Sequence, residues 1–403
     1  MYLALFFAPI PMPKLFFKLP PRNLLFARAY YFTFMGGWGF ILPFTNLFYV
    51  SLGLSGTQIG TIGSVSSMVS LLVAPIVVTE IKKHPQARKF LQFALILGAL
   101  GYFTIGQQTA YLPILAIVFL HALATSSIMP VSDSMAVSVS KDADTGYGSV
   151  RVWASVGWIV TVLSSGWLIG RLGYIAGFAG VSLMWLCSAG LLFFIAPRFF
   201  TSHNPTLTAR PGLKTAIQRT LRDRTLRGFA IALVFIGFLN SGVTQFENVF
   251  LSELGATKQV ISFAGILSAV VELPFMLFAD RFSRRFGPHR LMLVALGMTT
   301  LQRLTVLLFP SITTIMIVRF IGGVAFSFYT ISYMGLISSR TEPSEAGTVL
   351  ALYTITLAGI VNILAAPLAG ALYDLIGARW LYSFSAAGYA IGAISLWLAR
   401  PQD

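Results

Sequence analysis

The chain is organised around residues 130–158, where a polar bend joins two apolar segments. This stretch reads PVSD at 130–133, passes through the polar bend, and resumes as YGSVRVWASVGW at 147–158. The apolar segments that flank the bend place Asp133 and Arg151 roughly 6–10 Å inside the hydrocarbon, at about 1.5 Å per helical residue. Charged side chains at that depth are costly, and they usually pair or serve a site. We expect two adjacent antiparallel helices to bring Asp133 and Arg151 together.

The composition is that of an integral membrane protein. Hydrophobic residues make up 56% of the 403 residues and charged ones only 10%, which is far too apolar for a soluble domain. The single cysteine, Cys187, excludes intramolecular disulfides and thiolate-cluster metal sites. Four scattered histidines do not suggest a metal site either. We therefore expect neither a metal nor a cofactor.

The formal net charge of +15 is distributed in a way that argues against nucleic-acid binding. Of 28 Lys and Arg residues, 21 lie in loops and ends that would share one side of a membrane, 3 lie on the other side and 4 lie within apolar segments. This asymmetry follows the positive-inside rule. It predicts a multi-pass protein of the plasma membrane (the inner membrane in a bacterium), with both termini cytoplasmic and with lipids as neighbours.

Twelve apolar segments are long enough to be membrane-spanning helices, so the predicted fold is all-α. They lie at residues 24–51, 57–80, 90–107, 111–140, 147–171, 174–196, 226–253, 258–280, 289–309, 311–339, 345–373 and 377–399. The connections are short except for an arginine-rich stretch before the seventh segment. We predict, in chain order, a cytoplasmic tail (1–23), a six-helix bundle (24–196), a basic cytoplasmic linker (197–225) with a short surface helix at 213–222, a second six-helix bundle (226–399) and a cytoplasmic tail (400–403).

The two predicted bundles repeat each other at a spacing of about 200 residues. The fifth span ends in GWLIGRLG at 166–173, and the eleventh ends in GALYDLIG at 370–377. An acidic residue followed by basic side chains comes after both the second span, at 80–89, and the eighth, at 280–287. Two six-helix halves joined by a basic loop are the layout of transporters that rock about a site in the middle of the membrane.

The loops after spans two and eight resemble the signature loop of the major facilitator superfamily, and the resemblance extends over nearly the whole chain. The second copy, DRFSRRFG at 280–287, is close to the usual pattern, whereas in the first His84-Pro85 interrupts the turn where Gly is expected. In that family these loops act as cytoplasmic latches that break as the halves rock. A plain positive-inside loop is the alternative. The residues for which the resemblance implies a latch role are Glu80, Asp280, Arg281, Arg284 and Arg285.

The region from Asp133 to Trp158 is similar to the lactose permease-like branch of this superfamily, and looks closest to its phenylpropionate and nucleoside permease relatives. In lactose permease a span-four carboxylate and a span-five Arg hold the sugar, and a Trp two helical turns on stacks against it. The resemblance therefore implies substrate binding by Asp133, Arg151 and Trp158. An Arg fork suits hydroxyls or carboxylates, and an indole face suits a ring. A structural ion pair between spans four and five is the alternative.

A second group of buried charges lies in the C-terminal half. Glu272 is in the middle of its span, in AVVELP at 269–274. An apolar environment favours the protonated form of a carboxylate, so Glu272 can take up and release a proton. Lactose permease-like proteins carry a carboxylate at this place and an Arg in span nine, matched here by Glu272 and Arg303. The resemblance implies proton coupling for the first and substrate binding for the second. A neutral Glu272 hydrogen-bonded between helices is the alternative.

Glu247 in span seven lies at a depth similar to that of Arg303 and Arg319, and we expect it to pair with one of them. Span ten departs from the lactose permease pattern, in which a His and a Glu lie one helical turn apart, because this chain has GGVAF at 322–326. That proton relay cannot be carried over. Glu272 or Glu247 must therefore carry the proton if transport is proton-coupled.

Two further predictions concern uncharged residues of the first half. One or two aromatic side chains of span one are expected to line a cavity, with Gly36-Gly37 allowing close helix approach. His121 in span four is expected to be a hydrogen-bonded residue between helices rather than a titrating group.

These observations predict a secondary active transporter rather than an enzyme. It would act as a monomer and move a small organic solute (a sugar, nucleoside or aromatic carboxylate) by alternating access as a proton symporter, driven by the proton gradient. Four intramembrane arginines against three intramembrane acids favour an anionic or neutral polar substrate. The alternatives are a proton-coupled exporter of hydrophobic compounds and a non-transporting receptor on the same fold. A membrane enzyme is disfavoured, since the sequence shows no His-rich metal set, no paired catalytic carboxylates and no phosphate loop.

Overall fold

The computed structural model describes residues 21–84, 86–200 and 212–400, apart from a few side chains within helices. Those side chains belong to Lys82, Lys83, Leu273, Leu277, Ala279, Asp280, Arg284 and Pro343. Most of the predicted N-terminal tail, the middle of the linker and residues 401–403 therefore lie outside the described residues. Every regular element in the described part of the chain is a helix, as the sequence predicts.

The described residues form sixteen α-helices. In chain order they are α1 Arg22–Ile41, α2 Thr45–Ser51, α3 Gly56–Leu72, α4 Ala74–Lys83, α5 Ala87–Ile105, α6 Tyr111–Thr125, α7 Ile128–Asp142, α8 Gly148–Leu172, α9 Tyr174–Leu191, α10 Leu213–Arg222, α11 Arg224–Glu253, α12 Lys258–Phe286, α13 Pro288–Leu308, α14 Ile312–Ser338, α15 Pro343–Ala351 and α16 Ala358–Leu398. Each of the twelve predicted spans has a helical counterpart within a few residues.

Eight helical segments of the described chain are long and apolar enough to cross a membrane, and the bent pair α3–α4 is a ninth. The longest of them, Ser344–Leu398, covers two predicted spans, and its backbone breaks at Gly377. The chain is thus an all-helical polytopic membrane protein. The exact number of twelve spans stays a prediction.

Four of the predicted spans are broken rather than continuous helices. Pro43 lies in a 3₁₀ turn between α1 and α2, and Pro75 lies in the first turn of α4, which bends by 43° from α3. Pro130 lies in the first turn of α7, just after the break from α6. Proline removes a backbone donor and clashes with the preceding turn, which explains these three breaks. The fourth is a π-helical turn at Leu352–Leu357, between α15 and α16.

The predicted internal repeat is present in the backbone. Gly173 has φ 78° and ψ 178°, and Gly377, at the matching position of the other half, has φ 76° and ψ 169°. Only glycine adopts a positive φ of this kind without strain. Both glycines turn the chain sharply from one helix into the next, so the two halves have the same backbone turn at matching positions.

Small residues bring the helices of each half together. In the first half α1 packs against α8 and α9, and in the second α11 packs against α16. A Cβ atom added to Gly36 would lie 3.2 Å from the carbonyl oxygen of Gly157, so these two glycines allow α1 and α8 to approach closely. The close approach expected for Gly36 is confirmed. The boundaries of the two bundles stay a prediction.

The linker ties together helix ends on one side of the bundle, which we call the linker side. The predicted surface helix is confirmed as α10, Leu213–Arg222. Arg219 in this helix donates to the carbonyl oxygen of Arg340 at 3.0 Å, and Asp223 caps α11 by accepting from the amide of Leu226 at 2.8 Å. We call the opposite side, where Gly173 and Gly377 turn the chain, the far side.

Candidate functional site

Three of the predicted site residues line one cavity of about 200 Å³ between the two halves. Arg151 and Trp158 lie two turns apart on α8, and Glu272 faces them from α12. Residues at i and i+7 share a face of a helix, which is why one helix can present both side chains to the cavity. Met35 of α1 and Ser155 of α8 complete much of the wall. We call this space the Arg151 cavity.

Asp133 does not form the expected ion pair with Arg151. Its carboxylate accepts hydrogen bonds from the hydroxyl groups of Tyr31, at 2.7 Å, and Tyr147, at 2.8 Å. Tyr147 lies one helical turn before Arg151 on the same side of the bend. Its hydroxyl group, rather than the Arg151 guanidinium, contacts the Asp133 carboxylate. The expectation of a direct pair is therefore wrong for this conformation. Asp133 is also not among the residues that line the Arg151 cavity.

Arg151 and Glu272 are both half-buried, and neither side chain has a hydrogen-bond or ion-pair partner among the described residues. The backbone around Glu272 is nevertheless fixed. The hydroxyl of Ser327 donates to the Glu272 carbonyl oxygen at 3.1 Å. Gly323 lets α14 approach α12 closely, because a Cβ atom there would lie 2.9 Å from the Glu272 amide nitrogen. The cavity thus presents a cation without an ion-pair partner among the described residues, and a carboxyl group whose backbone packs closely against α14.

Glu247 lies in a separate cluster in the second half. It forms ion pairs with Arg303 at 3.4 Å and Arg319 at 2.7 Å, and the Tyr382 hydroxyl donates to it at 3.1 Å. Arg319 also donates to the side-chain oxygen of Asn248 at 2.8 Å. The prediction that Glu247 pairs with one of the arginines is confirmed, and it pairs with both. The side chains of Glu247, Arg303 and Arg319 are only 15–18% exposed.

Arg303 therefore lies away from Arg151 and Trp158 in this structure. Its guanidinium also lies 5.8 Å from the centre of the Tyr382 ring, and its Nε atom is buried without a partner among the described residues. The Arg303 side chain is not part of the wall of the Arg151 cavity. Its predicted contact with substrate remains untested.

A larger cavity of about 630 Å³ extends from the first half to α11 and α16 of the second, and only the aromatic side chains that span one contributes to it were expected from the sequence. Its described lining holds no Lys, Arg, Asp or Glu. The polar wall includes Asn46, Ser66, Ser70, Asn240, Thr244 and Asn362, and the aromatic wall includes Phe34, Trp38, Tyr49, Tyr102 and Trp185. Polar residues one turn apart in apolar helices, as at Ser66 and Ser70 or Asn240 and Thr244, were the signal available in the sequence.

The expectation for the aromatic residues of span one is confirmed, since Phe34 and Trp38 line this cavity. The expectation that His121 forms an interhelical hydrogen bond is wrong. The His121 ring lies 4.5 Å from the Tyr102 ring and 6.1 Å from the Trp185 ring. Its Nε2 atom is buried without a hydrogen-bond partner among the described residues. Ring packing, rather than an interhelical hydrogen bond, holds this histidine.

Hydrogen bonds between the two halves lie towards the far side. Asp374, near the end of span eleven, accepts from the amides of Gly56, at 2.5 Å, and Thr57, at 2.9 Å. These amides open helix α3, where backbone donors lack partners within the helix. Lys258 donates to the hydroxyl of Tyr174 at 2.6 Å. A Cβ atom on Gly370 would overlap the Gly56 carbonyl, so the backbones are in contact and the far side is closed.

The predicted latch residues lie on the linker side, at the ends of α4 and α12. Glu80 is exposed. Arg281 lies over the ring of Phe278 at 5.8 Å, and Arg285 lies over the ring of Phe286 at 5.5 Å. The side chains of Asp280 and Arg284 lie outside the described residues. The latch role stays a prediction.

A family model described as the MFS_1 like family matches residues 24–384. The chain belongs to this family. It is therefore a multi-pass membrane transporter of the major facilitator superfamily (MFS), as the signature loops predicted.

Individual relatives of this MFS transporter are distant in sequence. The chain is 28% identical to a maltose permease of Geobacillus stearothermophilus over 68% of each chain. It is 23% identical to a probable 3-phenylpropionic acid transporter of Escherichia coli (strain K12), over 86% of this chain and 90% of that one. The crystal structure of the nucleoside transporter NupG superimposes with a TM-score of 0.77 at 16% identity, covering 95% of this chain and all of NupG. That likeness establishes the fold.

Proposed function

We propose that this MFS transporter is a secondary active transporter that moves a small, ring-bearing polar solute as a proton symporter. The observation that carries the proposal is the Arg151 cavity, in which Arg151 and Trp158 from one half face Glu272 from the other. A site shared by two halves changes its access when the halves rock. Neither charged side chain forms an ion pair with a described residue, so both are available to ligands.

The residues of the cavity favour a sugar, a nucleoside or an aromatic carboxylate. Arg151 offers a planar fork of donors for hydroxyl or carboxylate oxygens, and the Trp158 face offers a surface for a ring. The names of the relatives, a maltose permease, a 3-phenylpropionic acid transporter and NupG, span the same three classes. The larger uncharged cavity adds hydroxyl and amide groups suited to a neutral polar ring.

For proton coupling we favour Glu272 over Glu247. The Glu247 carboxylate already forms ion pairs with two guanidinium groups and accepts a hydrogen bond from a phenol. These contacts favour a structural role for an ionised Glu247. The Glu272 carboxyl faces Arg151 across the Arg151 cavity, where substrate and proton can influence each other directly. No covalent step is part of the proposal, which assigns the chain a transport role and no enzymatic one.

For alternating access we propose that the closed far side faces outward and the linker side faces the cytoplasm of a cell whose plasma membrane holds the protein. The basic residues of the linker side support this orientation through the positive-inside rule. It places both termini in the cytoplasm. The latch that forms when the linker side closes would consist of Glu80, Asp280, Arg281, Arg284 and Arg285.

Uptake into proteoliposomes tests the proposal. The purified protein is reconstituted and given labelled maltose, uridine or 3-phenylpropionate, with and without an imposed pH gradient. We expect one class to accumulate only with the gradient, and Arg151→Gln to abolish this. Arg171→Gln is the matched control, since Arg171 lies at the far side against Trp167. If no solute accumulates while a lipophilic cation is driven out, the exporter alternative replaces the proposal. Binding without any flux would instead indicate a receptor.

A further inference from the structure

A third cavity, of about 1010 Å³, opens on the linker side of the second half. It lies where α11 and α13 begin and where α12, α14 and α16 end. Four arginines line it, and no Asp or Glu is among its described lining residues. They are Arg224, Arg290, Arg340 and Arg400. We call it the arginine cavity.

The positive charge of this cavity is not neutralised by the described protein. Arginine keeps its proton in proteins, so the four guanidinium groups repel one another unless an anion lies between them. Arg224 donates to the carbonyl oxygen of Leu398 at 2.7 Å, which fixes its position without reducing its charge. Arg290 and Arg400 are exposed, and neither is in an ion pair with a described carboxylate.

The start of α13 adds to the positive potential. Gly287, Pro288 and His289 line the cavity, and the amino-terminal end of a helix carries a partial positive charge. The His289 Nε2 atom lies 2.9 Å from the carbonyl oxygen of Leu396 and therefore donates to it. This bond holds the start of α13 against the end of α16. The cavity is thus part of the fold, built from the ends of five helices, α11, α12, α13, α14 and α16.

Apolar side chains at the rim point to the kind of anion. Phe286, Trp397 and Leu398 line the cavity and are 46%, 54% and 55% exposed. The Arg400 guanidinium lies 5.6 Å from the Trp397 ring. A tryptophan beside arginines at the end of a spanning helix is typical of the boundary between headgroups and acyl chains. Free phosphate would bind the arginines but would not contact this apolar rim.

We propose that the arginine cavity binds the phosphate group of an anionic phospholipid, whose acyl chains lie along Phe286, Trp397 and Leu398. Guanidinium groups bind phosphate oxygens bidentately, and basic pockets between helices on the cytoplasmic side are suited to anionic headgroups. This site is separate from the Arg151 cavity and does not depend on the transported solute.

Thermal unfolding of the delipidated protein in detergent tests the proposal. The probes are phosphatidylglycerol, phosphatidylcholine and inorganic phosphate, each titrated separately. A ligand that binds only the folded state raises Tm by mass action. We expect phosphatidylglycerol to raise Tm at micromolar concentration, and the other two to have little effect. The double variant Arg290→Gln/Arg340→Gln should raise the half-saturating concentration of phosphatidylglycerol about thirtyfold.

The matched control is Lys214→Gln/Arg222→Gln, which removes the same charge from α10, outside the cavity. It should respond as the native protein does. An equal loss in both double variants, or an equal response to phosphatidylcholine, overturns the site, and a response to inorganic phosphate alone overturns the lipid as its ligand. If the double variant does not fold, the single variant Arg290→Gln repeats the titration, since its exposed side chain holds no described hydrogen bond.

Discussion

The carboxylate of Asp374 accepts two hydrogen bonds from Thr57, one from its backbone amide and one from its hydroxyl, each at 2.9 Å. Asp374 lies at the end of span eleven and Thr57 lies at the start of span two, so this contact joins the two halves. The carboxylate satisfies backbone donors at a helix start and lies at the positive end of its dipole. It is the contact most directly tied to closure of the far side.

We predict that Asp374→Asn weakens this closure. A hydrogen bond to a charged group contributes about 1.5–3 kcal/mol, so the population with an open far side should rise by at least about tenfold. The measurement is the alkylation rate of Ser66→Cys in a Cys187→Ser background, with a membrane-impermeant reagent added on the far side. Asp142→Asn is the control, because it removes an exposed ion pair with Arg198 on the linker side. An unchanged alkylation rate would count against the role given to Asp374.

Gly370→Val should block closure by bulk rather than by charge. A Cβ atom at this position overlaps the Gly56 carbonyl, so spans two and eleven must separate. We expect uptake to fall at least about tenfold, since a transporter that cannot close one side cannot complete its cycle. Gly297→Val is the control, because a Cβ atom there meets nothing within 4 Å. Full uptake by the Gly370 variant would show that the far-side contact is dispensable.

Glu247→Gln should destabilise the fold strongly. It leaves Arg303 and Arg319 buried without their shared anion, and breaking a buried ion pair on one side costs about 3–5 kcal/mol. The measurement is Tm in detergent at fixed lipid content. Glu253→Gln is the control, since Glu253 is exposed and accepts one bond, from Tyr373 at 2.8 Å. Similar Tm values for the two variants would refute the view of Glu247 as a structural anion.

Trp158→Ala should weaken substrate binding without loss of stability. A ring stacked on an aromatic side chain gains about 0.5–1.5 kcal/mol, so the Kd should rise up to about tenfold. Trp153 lies on the same helix but is 40% exposed and does not line the Arg151 cavity. Trp153→Ala should therefore leave the Kd unchanged. Equal Kd values in both variants would remove Trp158 from the site.

The sequence was a good guide to the fold because membrane spans leave a strong signal. Apolar length predicted a helix at every span, and the repeated GWLIGRLG and GALYDLIG segments correspond to equal backbone turns at Gly173 and Gly377 in the structure. It did not reveal where spans bend, since the effect of Pro43 or Pro75 depends on what packs around the kink. The π-helical turn at Leu352–Leu357 has no comparable sequence signal.

The site was harder to predict because pairing among buried charges depends on helix rotation. The resemblance to lactose permease grouped Arg151 with Trp158, and both line the Arg151 cavity. Similar depth in the membrane paired Glu247 with arginine. Asp133 was expected to pair with Arg151, whereas its carboxylate accepts hydrogen bonds from the hydroxyl groups of two tyrosines. Neither phenol carries a charge, so a search for charged partners overlooked them. The cross-half contact of Asp374 was missed for a related reason, because its partners are backbone amides.

In the mechanism that we propose, Glu272 couples solute movement to the proton gradient. The most direct measurement compares Glu272→Gln with the native protein in proteoliposomes, both for pH-driven accumulation and for solute exchange without a gradient. We predict that the variant loses accumulation and keeps exchange, because glutamine cannot carry a proton but preserves the shape of the cavity. Accumulation at the native level in Glu272→Gln would contradict the claim.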